Sequence, residues 1–254
     1  MKWILNLIYW FDKNEKFVIN WAQLRFHICS LLDFKSKERR ELFRRVRKNT
    51  LVSYGRLASL WNLILKIEKR NLKGNFVECG VWKGGCAVTM GYLIQKYGMK
   101  RELHLFDSFE GMPEPTGNDG IKAIVFSEGK DKGKLKSIKK IIGPLKVVKK
   151  LFFDEIKLEK KKIYFYKGWF QKTLPKVKKK VDPIALLRID SDWYESVKIC
   201  LDELYNQVVK GGYIVLDDYH YWPGCKKAVD EFLKERKIKS KIKRTGFSGV
   251  FWQK

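Results

Sequence analysis

The sequence predicts a doubly wound α/β domain, a mostly parallel sheet covered by helices on both faces, behind an N-terminal helical extension. Three features carry this expectation. From residue 71 to residue 254, apolar runs of strand length alternate with segments of helical spacing, joined by short connections. The first run passes into a helix through a glycine turn, Glu78-Cys-Gly-Val-Trp-Lys-Gly-Gly85. Three runs end in an acid, at Asp107, Asp190 and Asp217. Ligands in such sheets bind beyond the carboxyl ends of the strands, so these acids are expected to converge on one rim.

The extension covers residues 1–70. Residues 1–50 read as two or three helices ending in a basic stretch over Lys35 to Lys48. Leu57, Leu60, Leu63, Leu65 and Ile67 then lie at helical spacing within Leu51 to Arg70. Met1 to Phe11 is apolar, but the run stops at Asp12, carries no cleavage site and is too short to span a bilayer. A structural helix or dimer contact is expected there. An interfacial membrane foot with Trp3, Trp10 and Phe11 at headgroup level is the alternative. Strands are expected at 75–80, 102–107, 163–167, 184–190 and 213–217, with helices from Gly84 to about Tyr97, Glu195 to Val209 and Gly224 to Lys237. Ser108 to Gly120 reads as a loop, and 121–160 as a lysine-laden insertion, helical and surface-lying. The tail from Ile242 to Trp252 reads as a β-ribbon turning at Gly246.

Charge is the unusual part of the composition: 54 basic against 28 acidic residues, a net +26, with twenty lysines between Lys122 and Lys180. Such a field attracts anionic lipid, polysaccharide or nucleic acid. No arginine-rich stripe or nucleic-acid module accompanies it, so no specific nucleic-acid partner is expected, and the lysines read first as solvated faces. A weak attraction to anionic membrane or polysaccharide is the alternative. Cys29, Cys79, Cys86, Cys200 and Cys225 form no C-x-x-C pair, which argues against a disulfide framework or zinc site. A reducing, cytoplasmic location is expected, peripheral to the membrane if the apolar N-terminus acts as a foot. Self-association into a homo-oligomer is expected as well.

Gly80 would let backbone approach a ligand, while Gly84 and Gly85 open a helix whose N–H groups face it. Asp107 is placed to accept hydrogen bonds from ribose hydroxyls. Together these point to a nucleoside ligand. The plainer readings are close helix packing for Gly84-Gly85 and a turn cap for Asp107. On the other side, Asp217 and Asp218 follow one strand and Asp190 ends its neighbour. Carboxylates gathered that closely repel unless a cation neutralises them, and oxygen donors favour Mg²⁺ over zinc. His220 could add a nitrogen ligand, although a lone loop histidine is more often a surface residue. The plainer reading of these acids is helix capping, which one aspartate would satisfy.

Five ordered motifs resemble those of the macrocin O-methyltransferase family, which methylates sugar hydroxyls, mainly on glycosylated natural products. They are Phe76-Val-Glu-Cys-Gly-Val-Trp-Lys-Gly-Gly85, Phe106-Asp-Ser-Phe-Glu-Gly-Met-Pro113, Lys167-Gly-Trp-Phe-Gln-Lys-Thr-Leu-Pro175, Leu187-Arg-Ile-Asp-Ser-Asp-Trp-Tyr-Glu-Ser196 and Gly211-Gly-Tyr-Ile-Val-Leu-Asp-Asp-Tyr219. Thr50-Leu-Val-Ser-Tyr54 resembles the segment before the family's core, and the likeness spans about residues 45–235. It implies a Rossmann-like class I methyltransferase fold and an S-adenosylmethionine-dependent, Mg²⁺-dependent O-methyltransferase. It further implies that Glu78, Gly80, Gly84 and Asp107 hold S-adenosylmethionine, with Ser108 beside the ribose and Trp169 near the adenine. Asp190, Asp217 and Asp218 would bind Mg²⁺, Asp192 would be the general base, and the acceptor would be a glycan or glycosylated small molecule. Two residues depart from the family pattern: Ser191 replaces the glycine of Asp-Gly-Asp, and Trp193 replaces a commoner leucine. Two rival readings remain. One is a metal-dependent glycosyltransferase using Asp190-Ser191-Asp192 as an Asp-x-Asp; the other is a basic membrane- or nucleic-acid-binding module. The first leaves the glycine turn and the Asp217-Asp218 pair without a purpose, and the second leaves the acidic rim without one.

Overall fold

A computed structural model describes residues 15–34 and 36–254; the apolar start Met1 to Phe11 lies outside them. Three helices come first, α1 (Glu15–Leu32), α2 (Lys37–Val46) and α3 (Tyr54–Lys69). The body follows as β1 (Asn75–Cys79), α4 (Gly85–Lys96), β2 (Leu103–Asp107), α5 (Gly120–Phe126), α6 (Leu145–Lys149), β3 (Ile163–Lys167), α7 (Phe170–Val177) and β4 (Ile184–Ile189). It closes with α8 (Tyr194–Leu204), β5 (Val208–Leu216), α9 (Pro223–Glu235), β6 (Lys243–Thr245) and β7 (Gly249–Gln253). The seven strands make one sheet in the order β3-β2-β1-β4-β5-β7-β6. The first five run parallel, while β7 pairs antiparallel with both β5 and β6. The predicted doubly wound sheet and closing ribbon are therefore present. The chain reverses direction across the sheet between β1 and β4, the position at which such sheets bind ligands.

Register explains which side chains meet. Glu78 of β1 stands opposite Leu105 of β2 and Arg188 of β4, and Arg188 opposite Val215 of β5. Side chains alternate between sheet faces with period two. Glu78, Arg188, Asp107, Asp190 and Asp217 consequently share one face. That face packs on α2, α3 and α4 through a cluster including Phe43, Leu57, Ile64, Phe76, Met90 and Tyr213. The opposite face packs on α8 and α9 through Leu187, Trp193, Leu201, Ile214, Ala228 and Phe232. The helical extension is thus part of one of the two cores.

The insertion differs from its surface-lying, helical expectation. Residues 127–144 are turns and bends, and α6 runs on into a π-helical turn over Lys150–Glu155. Val148, Leu151, Phe152, Ile156 and Leu158 are buried in the same core as α3 and α4. Its lysines lie mostly outward, Lys122 being half-buried, so the segment is amphipathic and the high lysine count concealed its apolar seam. The predicted helix to Val209 also ends early, because Val208 already pairs with Ile184 at the start of β5.

Gly80 has a structural reason beside the expected one. At φ +90°, an added Cβ would stand 1.8 Å from the Asp190 carbonyl oxygen. The glycine therefore permits β1 and β4 to close on each other's backbone at the rim. Gly80→Ala should cost about 3 kcal/mol or more in urea unfolding, by combining a disfavoured φ with a backbone collision. Gly55→Ala in the first turn of α3, where an added Cβ meets nothing within 4 Å, should leave stability within about 1 kcal/mol of wild type.

Candidate active site

A buried arginine organises the rim. Arg188 interrupts the apolar run Ile184–Ile189, and its guanidinium pairs with Glu78 across β1, with Asp190 at 2.9 Å and with Asp217 at 3.3 Å. A second arginine arrives from the extension. Arg56 Nη1 donates to Asp217 Oδ2 at 2.8 Å, to the Asp217 carbonyl at 3.0 Å and to Ser248 Oγ at 2.7 Å. Ser248 Oγ in turn donates to the same carbonyl at 3.0 Å, tying the β6–β7 turn to the end of β5. Removing one member of such a buried ion set leaves an uncompensated charge, at a cost of about 3–5 kcal/mol.

Asp190, Asp217 and Asp218 each present a carboxylate oxygen, all within 4.8 Å of one another. Asp192 joins them from the following turn, in a left-handed conformation at φ 58°. Ser191 needs no positive φ, so serine is accommodated where the family pattern has glycine. Of these four aspartates, Arg188 and Arg56 form salt bridges with Asp190 and Asp217 alone. Burial, reinforced by the neighbouring Asp190, pushes the Asp192 carboxyl up to about 7, against hydrogen bonding with Asp218 and Trp222. Burial, then Asp192 and Asp190, push Asp218 well above the usual carboxylate range. Hard oxygen donors with excess negative charge suit a Mg²⁺-like cation. His220 is exposed and stands outside this group; its ring packs edge-on against Tyr219 and its backbone N–H donates to the Ser248 carbonyl.

The glycine turn meets the acidic rim at Gly80 and Glu78. Asp107 Oδ2 accepts from the Val81 and Trp82 amides at 2.7 and 3.1 Å, and Oδ1 from Phe109 at 2.6 Å. Burial raises its carboxyl and these amides oppose the rise. It therefore pins the glycine turn to the loop after β2, the capping role, with lone pairs still available to a hydroxyl. Ser108 Oγ donates to the Gly111 carbonyl at 2.7 Å and shapes the same loop. Gly84 caps α4 at φ 91°, with Val148 and Phe152 at 3.1 Å from where a Cβ would stand. Gly85 lies against Asn49 and Thr50, which supports the packing reading for that glycine. Trp169 is half-buried after β3, and the neighbouring Gly168 amide bonds the Asp107 carbonyl. Glu78 Oε2 is buried and, among the described residues, has no hydrogen-bond partner. An acceptor left open at the turn fits a ligand carrying a donor or positive charge.

Several residues were not singled out from the sequence. Arg188 had a signal, a lone charge inside an apolar strand. Arg56 had none, being one of many basic residues in an amphipathic helix. Asp119 is buried; it accepts from the Tyr194 amide at 2.6 Å and abuts Gly224, so it joins the starts of α8 and α9. Lys122 lies with its amine 3.2 Å from the Tyr221 ring centroid, lowered to about 8 by burial while Asp218 and Asp192 oppose.

The strand order, the glycine turn at the β1 end and the acidic rim define a Rossmann-like O-methyltransferase. Residues 13–254 match the macrocin O-methyltransferase (TylF) family, and the chain belongs to it. Demethyldecarbamoylnovobiocin O-methyltransferase of Streptomyces niveus is 31% identical over 207 residues, covering 81% of this chain and 76% of that protein. The 8-demethyl-8-(2,3-dimethoxy-α-L-rhamnosyl)-tetracenomycin-C 4′-O-methyltransferase of Streptomyces olivaceus is 31% identical over 206 residues, covering 81% and 75%. The solved structure of the O-methyltransferase NovP superposes with a TM-score of 0.72 at 29% identity, over 81% of this chain and 82% of that one.

The charge excess has a consequence for stability. Carboxyls raised on folding bind protons that the unfolded chain releases, so their contribution is present in acid and lost as pH rises through the folded value. Without divalent metal, the melting temperature of the wild type should fall relative to that of Asp192→Asn as pH rises from about 4 towards 7. Mg²⁺ should restore it near neutrality and do little in acid, as read by scanning calorimetry. A constant difference between the two proteins over this range in chelator would remove the excess-charge account.

Proposed function

We propose that the chain transfers a methyl group from S-adenosylmethionine to a sugar hydroxyl in a Mg²⁺-dependent reaction. The observation that carries this reading is the set Asp190, Asp217 and Asp218, with Asp192 beside it, on the rim that also bears the glycine turn. The Streptomyces olivaceus relative is named for a compound bearing a rhamnosyl unit, which favours a sugar acceptor. Residues 71–254 act as the cofactor-binding domain, and residues 1–70 complete its site through Arg56. The cysteines are all free thiols, which supports a cytoplasmic location.

Bound S-adenosylmethionine supplies an electrophilic methyl carbon, and bound Mg²⁺ lowers the pKa of a hydroxyl held against it. Asp190, Asp217 and Asp218 would hold the ion; Glu78, Gly80, Gly84, Asp107, Ser108 and Trp169 would hold the cofactor. Asp192 accepts the hydroxyl proton, its carboxyl raised close to the operating pH of a general base. Arg188 keeps Glu78 on the cofactor side and Asp190 and Asp217 on the acid side in fixed relation. Fixing both partners can remove on the order of 7–11 kcal/mol of barrier. A glycosyltransferase reading of Asp190-Ser191-Asp192 is not favoured, because it assigns nothing to the glycine turn or to Asp217-Asp218.

Calorimetry should show S-adenosylmethionine binding and no nucleotide-sugar binding; the reverse result would overturn the reading. Asp107→Ala should weaken the cofactor by roughly 1.5–3 kcal/mol, and unchanged affinity in a folded variant would leave Asp107 as a turn pin alone. Asp192→Asn should leave cofactor and metal binding intact while lowering turnover about 10²- to 10⁴-fold. Alanine at Asp190, Asp217 or Asp218 should instead weaken Mg²⁺. Full activity in chelator with trace metal excluded would sink the magnesium mechanism.

A further inference from the structure

From Leu24 onward, helix α1 is held to the body by one narrow edge. Among its residues from Leu24 onward, only Phe26 and Ser30 are buried. Phe26 packs edge-on against Tyr54 with centroids 5.2 Å apart. Just past the helix, Asp33 accepts from the Tyr54 hydroxyl at 2.5 Å and from Arg39 at 2.6 Å. The outward surface carries Leu24, Ile28, Leu31, Leu32 and Phe34, exposed by 46–82%. Arg25 and His27 share that exposed surface, Arg44 reaches Ser30 Oγ from α2, and no acid occurs between Lys16 and Leu32.

We infer that this exposed face of α1 docks the protein on an anionic lipid bilayer. Apolar side chains flanked by basic ones, without carboxylates, suit the boundary between acyl chains and acidic headgroups. Two alternatives fit less well. An acidic polysaccharide would match the charge but offers little to bury leucine, isoleucine and phenylalanine. A second copy would match the apolar row, but each copy carries a net +26, so pairing works against repulsion where an anionic surface gains attraction. No helix among the described residues is long and apolar enough to cross a membrane, so the contact is with the surface. The buried edge of α1 rests on Tyr54, two residues before Arg56, so the docking helix and the acidic rim both contact the first turn of α3. The inference goes beyond the methyl-transfer reading and does not depend on it.

The test is vesicle flotation of the full chain. Vesicles containing phosphatidylglycerol should carry the protein at low salt, release it at high salt, and outperform pure phosphatidylcholine. Leu31→Glu with Phe34→Glu should weaken flotation about tenfold or more, with cofactor binding kept. A second readout needs no substitution. Cys29 is the exposed thiol, the other four being buried, so a polarity-sensitive fluorophore attached there should shift to the blue on adding anionic vesicles. No flotation at low salt, equal flotation of the double variant, or a silent Cys29 probe would overturn the inference. A wild-type dimer that the double variant dissolves, together with a silent probe, would assign the face to a second copy.

Discussion

The fold depends on neutralising one buried guanidinium. Arg188 lies in the central strand of the sheet, where an unpaired cation would not be tolerated, and its partners come from three adjacent strands. Glu78, Asp190 and Asp217 are brought into place by the same requirement that makes β1, β4 and β5 neighbours. The pairing is incomplete by design of the charges: Asp192 and Asp218 add negative charge that neither arginine engages. Burial therefore raises their carboxyls, and the rim has a standing preference for a proton or another positive charge.

A second constraint joins the two halves of the site. The backbone of Gly80 touches that of Asp190, and Asp107 bonds the amides that follow Gly80. Glycine turn and acidic rim are consequently one connected unit, held by backbone contact in addition to side-chain salt bridges. Arg56 extends that unit to the N-terminal helices. A segment that reads in sequence as an appendage thus supplies a side chain to Asp217 and much of one core.

The positive charge falls into two kinds. In the insertion, lysines are the solvated face of a segment whose Val148, Leu151 and Phe152 build the core over Gly84. Their number misled the expectation of a surface-lying element, because burial follows the apolar positions and ignores how many lysines surround them. On α1 the basic residues accompany apolar side chains that nothing in the described chain covers. There the charge has an apolar complement, and an interfacial role follows.

Local sequence determined the strands, their acidic ends, the glycine turn and the closing ribbon, since periodicity and turn chemistry are written in neighbouring residues. It also determined the family, through motifs that keep residue types at fixed spacing. What only the tertiary structure decided was pairing across the sheet. Register put Arg188 between Glu78, Asp190 and Asp217, set the Gly80 backbone against Asp190, and brought Arg56 across 161 positions to Asp217. Those contacts join residues far apart in the chain, and which arginine among the chain's many basic residues meets which acid depends on packing rather than on any local pattern.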